Sequence, residues 1–251
     1  MSFSLLSHFE SLVSPPHCPI CLRRKRRQEV CNGCMLPPPR LPALECLSCG
    51  IALSSKSHGR CYSCETSPPP WDRLLFAAHS CPSLVQTVAA LKYQKHHQAM
   101  ELFEEWIRIQ IPTLKWPKSA PDYIVPVPTR MRHLFRRGFC LTTHIARLVS
   151  EVQLKRPLTL SEQLLLFHRG TGVRQAGLSE RARRHNIHRA FLAHQAGVSG
   201  KRILLVDDLT TSGATLIAAS KSLRKAGASS VTVFTIGRGK RFLHFRALKA
   251  P

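Results

Sequence analysis

The spacing of hydrophobic residues changes near residue 71 and divides the chain into two kinds of sequence. Residues 1–66 hold short apolar stretches between polar and proline-rich segments. From residue 71 onward, apolar runs alternate with segments in which apolar residues recur every three or four positions. Three prolines at 68–70 favour an extended connection. The pattern predicts a small amino-terminal module over residues 1–66, a linker over 67–70 and a larger domain over 71–251.

The larger domain is predicted to alternate strands with helices. Four apolar runs predict strands: Leu74–His79, Tyr123–Val127, Ile203–Val206 and Val231–Ile236. Four segments with helical periodicity predict helices: Ser83–Tyr93, His97–Gln110, Leu141–Val152 and Thr215–Ala226, the last stopped by Gly227. Because strands that are separated by helices usually pair in parallel, this order predicts an α/β fold built on a parallel sheet.

The chain is strongly basic, and its sequence predicts no membrane span. The formal net charge is +23, and 29 of the 37 basic residues lie in residues 71–251. Such a field attracts polyanions, so nucleic acids and phosphorylated metabolites are both candidate partners, although a basic soluble surface would look the same. No apolar run is long enough to cross a bilayer, and residues 1–14 lack a basic cluster typical of a signal peptide. We therefore expect a cytoplasmic protein.

Eight of the ten cysteines form four CxxC pairs. They are Cys18/Cys21, Cys31/Cys34, Cys46/Cys49 and Cys61/Cys64. Two CxxC turns supply the four thiolates of a tetrahedral Zn²⁺ site, so eight thiolates predict two structural zinc ions. Neighbouring pairs in sequence are expected to share an ion, but the spacing also permits a crossed pairing of the first pair with the third. A redox dithiol normally uses a single CxxC, and four copies favour metal.

The segment from Val206 to Leu216 follows an apolar run and opens a predicted helix. In open α/β sheets, ligands bind at the carboxyl ends of the strands, which is where this segment is predicted to lie. Its small and hydroxylated residues leave backbone N–H groups available to a phosphate at the positive end of the helix. The candidate phosphate ligands are Thr210, Thr211, Ser212, Gly213, Ala214 and Thr215.

Two acidic residues precede this segment. Asp207 and Asp208 would repel a phosphate, but they suit hydrogen bonds to ribose hydroxyls and to a hydrated Mg²⁺. The alternative is that they only stabilise the start of the helix. That alternative leaves the run from Thr211 to Thr215 unexplained, so we favour a ligand-binding role.

The motifs resemble those of a known family. The segment Val206–Leu216 resembles the phosphoribosyl diphosphate (PRPP) signature of type I phosphoribosyltransferases, with Ser212 in place of a threonine. The whole chain resembles the ComF family, a group of competence-associated proteins with a double zinc ribbon before a phosphoribosyltransferase-like domain. The shared motifs are Pro68–Asp72, Leu91–Tyr93, Val125–Pro128, Arg132, Arg137–Phe139, Gln175, Leu178–Ser179, Arg183, Asn186 and Phe191. Cys140 and Leu141 depart from the family's Asn-Gln.

The resemblance implies a phosphoribosyltransferase that takes PRPP with Mg²⁺. Asp207 and Asp208 would bind the ribose, Thr211–Thr215 the 5′-phosphate, and Arg132 with Arg137 the diphosphate. Thr210 would also belong to the PRPP site. The stretch His168–Arg184 would be either a closing flap or an exposed loop. The resemblance also implies a role in the import of transforming DNA with competence proteins. The alternative function is a non-catalytic factor that binds single-stranded DNA and reuses the fold.

Overall fold

The computed structural model describes most of the chain. The described residues are 17–18, 20–25, 29–37, 44–53, 59–93, 97–129, 131, 134–135, 138–154, 161–167 and 190–239. The chain divides into two compact units: one comprises Met1–Pro38 and Cys81–Trp106, and the other comprises Pro39–Ser80 and Ile107–Pro251. The domain boundary at residues 66–70 stays a prediction.

The described residues contain six strands, which form two sheets. In chain order they are β1 (Arg73–His79), β2 (Tyr123–Pro126), β3 (Leu165–Phe167), β4 (Phe191–Ala193), β5 (Arg202–Thr210) and β6 (Ser230–Arg238). The larger sheet has the order β1-β6-β5-β2, and each of its pairs is parallel. β3 and β4 form a separate antiparallel pair. The predicted α/β fold with a parallel sheet is confirmed, and the carboxyl ends of all four parallel strands lie at one edge.

Within the part of the chain that the structure describes, six α-helices connect or flank these strands. They are α1 (Tyr62–Thr66), α2 (Pro82–Tyr93), α3 (His97–Gln110), α4 (Leu141–Val149), α5 (Gln195–Val198) and α6 (Ala214–Lys225). Short 3₁₀ turns occur at Asn32–Cys34, Ile111–Thr113 and Glu162–Leu164, and a π-helical turn at Ser150–Leu154 follows α4. Thus α4 ends three residues earlier than the sequence predicts.

Both faces of the parallel sheet are covered. On one face, Ile203, Leu205 and Val233 belong to a core cluster with Leu216 and Leu223 of α6. The alternate strand positions are buried too, which a strand with one solvated face would not show. Ile124, Leu204 and Phe234 all have no exposed surface or almost none. Burial on both faces explains why these strands are continuous apolar runs in the sequence.

β5 is longer than the sequence predicts, and the difference moves the two acids. The apolar run ends at Val206, but the strand continues to Thr210 because β6 pairs with it up to Arg238. Asp207 and Asp208 therefore lie in the last part of β5 and not in a turn. The neighbouring strand supplies hydrogen-bonding partners that the local pattern cannot reveal.

The cysteine-rich segments repeat one local design. An antiparallel bridge between His17 and Arg24 closes the first CxxC turn, and a bridge between Glu45 and Ala52 closes the third. The second and fourth CxxC pairs instead open a helical turn, since Cys31 precedes Asn32–Cys34 and Cys61 precedes α1. Each of the two copies, Cys18–Cys34 and Cys46–Cys64, thus combines a hairpin turn with a short helical segment. Each copy contains four cysteine sulfur atoms.

Candidate functional site

The segment predicted to bind phosphate lies between β5 and α6. Gly213 caps the amino end of α6 with φ of 78° and ψ of 3°, a left-handed conformation that favours glycine. Ile217 N donates to Gly213 O, which starts the helical bonding. Thr211 and Ser212 are exposed, while Thr210 is buried at the strand end. The first turn of α6 thus lies beside exposed hydroxyl groups, an arrangement that can bind a phosphate.

The structure separates the two acidic side chains. Consecutive residues of a strand point to opposite faces, so Asp207 and Asp208 leave β5 on opposite sides. Asp207 is buried and its Oδ1 accepts a hydrogen bond from Asp208 N at 2.9 Å. Asp208 is half-buried and its Oδ1 accepts from Leu209 N at 2.6 Å. Of the two carboxylates, Asp208 is the more accessible to a ligand.

A buried threonine stands beside Asp207. Thr235 of β6 is in register with Asp207 and has no exposed surface. Its hydroxyl has no hydrogen-bond partner among the described residues. Thr235 is not predicted from the sequence, because this residue lies in an apolar run. Only the pairing of β5 with β6 places Thr235 beside the acidic pair.

The end of β2 borders the same edge. Val127 N donates to Val206 O at 2.8 Å, which keeps the segment after β2 beside β5. Thr142 Oγ1 in α4 donates to Val127 O at 2.9 Å. Arg132 and Arg137, the predicted diphosphate ligands, lie outside the described residues, as does the whole predicted flap, His168–Arg184.

Cys140 precedes α4 near this edge. Its sulfur lies 3.3 Å from Thr129 Oγ1 and 3.1 Å from Thr142 Oγ1. Burial raises the pKa of the Cys140 thiol, but hydrogen bonds with Thr129 and Thr142 outweigh burial and lower the pKa. The thiol therefore occupies a polar position beside the site, in the place of the family's asparagine.

The end of β6 completes the edge. Gly239 N donates to Thr210 O at 2.6 Å. A Cβ atom on Gly239 would lie 3.0 Å from Thr211 Cα and 3.1 Å from Thr210 O, so only glycine permits this approach without displacement. Gly239 is not among the site residues predicted from the sequence, although a glycine directly after an apolar strand indicates close backbone contact.

The first cysteine group contains Cys18, Cys21, Cys31 and Cys34. The four sulfur atoms lie within 4.8 Å of one another, and Cys21 Sγ is 3.7 Å from Cys31 Sγ. Burial raises the pKa of Cys18, but backbone hydrogen bonds from Cys21, Cys31 and Ile20 outweigh burial and lower the pKa to about 6. A thiolate is therefore favoured at Cys18 at neutral pH, as a metal ligand requires.

The second cysteine group contains Cys46, Cys49, Cys61 and Cys64. Its sulfur atoms also lie within 4.8 Å of one another, and Cys49 Sγ is 3.7 Å from Cys61 Sγ. Cys61 N donates to Cys46 Sγ at 3.3 Å. Hydrogen bonds with Cys49 and Cys64 lower the pKa of Cys46 far below its usual range, which favours a thiolate there.

Both groups fit a zinc ion. Zn–S bonds of about 2.3 Å in a tetrahedron separate the sulfur atoms by about 3.8 Å, close to the 3.7 Å distance seen once in each group. Each group consists of neighbouring CxxC motifs, and the first pair is not grouped with the third. The zinc ions themselves stay a prediction. The prediction could not decide between them because both gaps allow a hairpin.

Among the helices that the structure describes, none is long and apolar enough to span a bilayer.

The chain is similar to known proteins over most of its length. The sequence model of the phosphoribosyl transferase domain matches residues 136–241, which contain β5, the phosphate segment and α6. The DNA utilization protein YhgH of Salmonella typhimurium is 29% identical over 227 residues, or 88% of this chain and 89% of that protein. The same protein of Escherichia coli K12 is 28% identical over 195 residues, or 77% and 83%.

A competence protein matches to a similar extent. Competence protein F of Haemophilus influenzae is 28% identical over 214 residues, or 83% of this chain and 90% of that protein. These matches cover most of each chain. Over most of its length the chain is therefore similar to competence protein F and to the DNA utilization proteins. It combines a parallel α/β fold, part of which the phosphoribosyl transferase domain model matches, with two Cys₄ groups near its amino terminus.

Proposed function

We propose that the carboxyl edge of the parallel sheet binds PRPP. The observation that carries this proposal is Gly213, held in a left-handed conformation between β5 and the amino end of α6. The 5′-phosphate binds to the backbone and hydroxyls of Thr210–Thr215, and Asp208 accepts hydrogen bonds from the ribose hydroxyls. Asp207 accepts a hydrogen bond from Asp208 N at this end of β5. Because Asp207 is buried, its contact with the ribose requires a movement of the strand end. Arg132 and Arg137 are assigned to the diphosphate.

The proposed reaction is a displacement at C1 of the ribose. The bond between C1 and the diphosphate oxygen breaks, and the electron pair leaves with diphosphate. A lone pair on the acceptor then forms the new bond to C1, and the transition state resembles an oxocarbenium ion. Mg²⁺, when bound with PRPP, would neutralise charge on the diphosphate. The residues of the edge orient the ribose and stabilise the departing charge.

The proposed cellular role is in DNA uptake or DNA utilization, in the cytoplasm. The names of the similar proteins, competence protein F and DNA utilization protein, support this assignment. The acceptor is unassigned, because the described residues include no base that is clearly placed to activate one. A screen of candidate bases with PRPP, which measures released diphosphate, would identify it.

Thermal shift with fragments of PRPP tests the ligand assignment. We expect PRPP with Mg²⁺ to raise the unfolding temperature more than ribose 5-phosphate, and ribose 5-phosphate more than inorganic phosphate. This order follows because each larger ligand engages one more group of the edge. In a Ser212→Ala/Thr215→Val variant, the shifts with all three ligands should fall together. An unchanged melting temperature of the wild-type protein with PRPP would refute the proposal.

Binding of single-stranded DNA is the second candidate function. A cavity of about 610 Å³ opens at the amino ends of the parallel strands, the opposite edge from the phosphate segment. Arg73, Lys118 and Arg202 line it together with Trp116, a composition that suits phosphates and stacked bases. The formal charge of +23 also favours this candidate. It is compatible with PRPP binding, since the two sites lie at opposite edges.

A salt series distinguishes the two candidates. In a gel shift with single-stranded DNA, affinity should fall steeply with salt if the basic cavity contacts phosphates. In Lys118→Ala, the slope of the logarithm of DNA affinity against the logarithm of salt concentration should fall by about one, which corresponds to one lost phosphate contact. The rise in melting temperature with PRPP should stay the same. Affinity that does not depend on salt would exclude a mode of binding driven by phosphate contacts.

A further inference from the structure

A buried arginine ends the central strand pair at the phosphate edge. Arg238 is the last residue of β6, and only 5% of its surface is exposed. It is in register with Thr210 of β5, and the next residue, Gly239, donates its N–H to Thr210 O. Ser80 N donates to Arg238 O at 2.9 Å. The backbone of Arg238 is thus part of the edge that carries the phosphate segment.

The side chain of Arg238 leads to the second cysteine group. Its Nε donates to Cys49 O at 2.5 Å. Its Cζ lies over the ring of Phe76, 5.7 Å from the centroid, a distance at which the ring face attracts a cation. Phe76 in turn packs so tightly against Gly50 that a Cβ there would overlap the ring. Arg238 and Phe76 therefore fix the turn that holds Cys46 and Cys49 to the sheet.

The contact with Cys49 O gives the position of Arg238 a dependence on metal. Cys49 is one of the four residues that would hold the second zinc ion. A bound metal would join the two CxxC turns and thereby fix the carbonyl that accepts the hydrogen bond from Arg238. When the metal is lost, this carbonyl is no longer held in place for Arg238.

We propose that Arg238 is a positioning residue that links metal loading of the second cysteine group to the geometry of the phosphate segment. The first cysteine group belongs to the other compact unit and has no part in this link. The consequence for ligand binding rests on the proposed function, but the link itself does not. Loss of the second zinc, by chelation or by oxidation of its thiols, would loosen Thr210–Gly213 and weaken phosphate binding.

Hydrogen exchange of the full-length protein measures the link without a ligand. Cys31→Ser and Cys61→Ser each remove one half-buried ligand, from the first and second group respectively. Each variant should lose about one zinc. We expect only Cys61→Ser to speed exchange in a peptide that covers residues 206–216, by about tenfold relative to exchange in residues 202–205 of the same strand. Equal effects of the two variants, or no effect of Cys61→Ser, would overturn the proposal.

Arg238 variants test the residue itself. Arg238→Met should speed exchange in residues 206–216 as Cys61→Ser does, and the double variant should add little to either change, because both break one connection. Arg238→Lys keeps the charge and should restore part of the protection. Arg202→Met, which removes an arginine from the other end of β5, is the control and should leave the peptide unchanged. Additive effects of Arg238→Met and Cys61→Ser would contradict the link.

PRPP titration then separates the two proposals. The dissociation constant of PRPP should rise in Arg238→Met and in Cys61→Ser by about the same factor as the exchange rate. If the wild-type protein binds no PRPP but exchange still responds to Cys61→Ser, the proposed function fails and the link stands. If PRPP binds to Arg238→Met and Cys61→Ser as tightly as to the wild type, the link fails and the proposed function stands.

Discussion

Gly213 has a role in the fold and, under the proposed function, a second role in phosphate binding. Its φ of 78° turns the chain from β5 into α6, and the same turn exposes the first N–H groups of the helix. Residues with a Cβ adopt this conformation at a cost of about 1–2 kcal/mol. Gly200 has a similar φ of 72°, and a Cβ there would meet no atom within 4 Å, so it provides a matched control away from the site.

The two glycines should respond differently to substitution by alanine. We expect Gly213→Ala and Gly200→Ala each to lower the free energy of unfolding by about 1–2 kcal/mol in urea titrations. Only Gly213→Ala should also weaken PRPP binding, because the phosphate needs the backbone of this turn. Equal PRPP affinities in the two variants would contradict the placement of the phosphate.

Asp122 provides a pH-dependent contribution to stability. Its carboxylate accepts hydrogen bonds from Arg202 Nε and Nη2 at 3.2 and 2.7 Å and from Arg202 N at 2.8 Å. The side-chain hydrogen bonds from Arg202 lower the pKa of Asp122 to about 2. In the unfolded chain the pKa is about 3.9, so this stabilisation is complete above that value and disappears as pH falls toward 2.

Asp122→Asn should therefore change the acid limb of the stability profile. We expect a loss of stability at pH 7 and a shallower decline between about pH 4 and pH 2 than in the wild type. Urea unfolding at a series of pH values measures both. Glu151→Gln, which removes the more exposed pair with Arg108, is the control and should change the profile little. Parallel profiles for Asp122→Asn and the wild type would refute the assignment.

At the scale of elements, β5 combines the core with the site. Its first half is buried on both faces, and its second half carries Asp207, Asp208 and Thr210. β3 and β4 form a separate antiparallel pair, in which Leu165 and Phe191 are buried while Leu166 and Leu192 are exposed. The stability of the second unit should therefore depend on β5 much more than on β4.

Leucine truncations test this difference between elements. Leu205→Ala in β5 should lower the free energy of unfolding by about 2–5 kcal/mol, because it leaves a cavity in the core. Leu192→Ala in β4 should change it by less than about 0.5 kcal/mol, since the side chain is 58% exposed. Chemical denaturation of both variants provides the measurement. A similar loss for both would mean that β4 is covered by another part of the protein.

The sequence predicts elements with strong local patterns and misses contacts that need the fold. The helix His97–Gln110 is predicted with the bounds that the structure has, because its apolar positions recur at helical spacing. β3 and β4 have three residues each and lie far apart in the chain, so no local pattern indicates them. Thr235, Arg238 and Gly239 reach the candidate site only through the pairing of β6 with β5.

At the scale of the whole molecule, the two cysteine groups are alike in design but differ in surroundings. Cys46, Cys49 and Cys64 belong to the same core cluster as Trp71 and Val233, so the second group is continuous with the sheet. Trp71 Nε1 donates to Ser48 O at 2.8 Å within this cluster. The first group lies in the unit that also contains α2. The second metal should therefore contribute to the stability of the sheet itself.

Elemental analysis tests the metal assignment for the whole chain. We expect about two Zn²⁺ per chain, since each group supplies a complete tetrahedron of thiolates. Cys81→Ser and Cys140→Ser, which change cysteines outside both groups, should retain both ions. A content near one or zero in the wild-type protein would refute the model of two Cys₄ sites.

PRPP binding at the carboxyl edge of the parallel sheet is the central proposal. Isothermal titration calorimetry with PRPP and Mg²⁺ measures this binding most directly. We expect one site per chain in the wild type. Asp208→Asn should bind about tenfold or more weakly, because a charge-assisted hydrogen bond contributes about 1.5–3 kcal/mol. Asp122→Asn, at the opposite edge, should bind as the wild type does. Absence of binding to the wild type, or equal affinity in Asp208→Asn, would contradict the account.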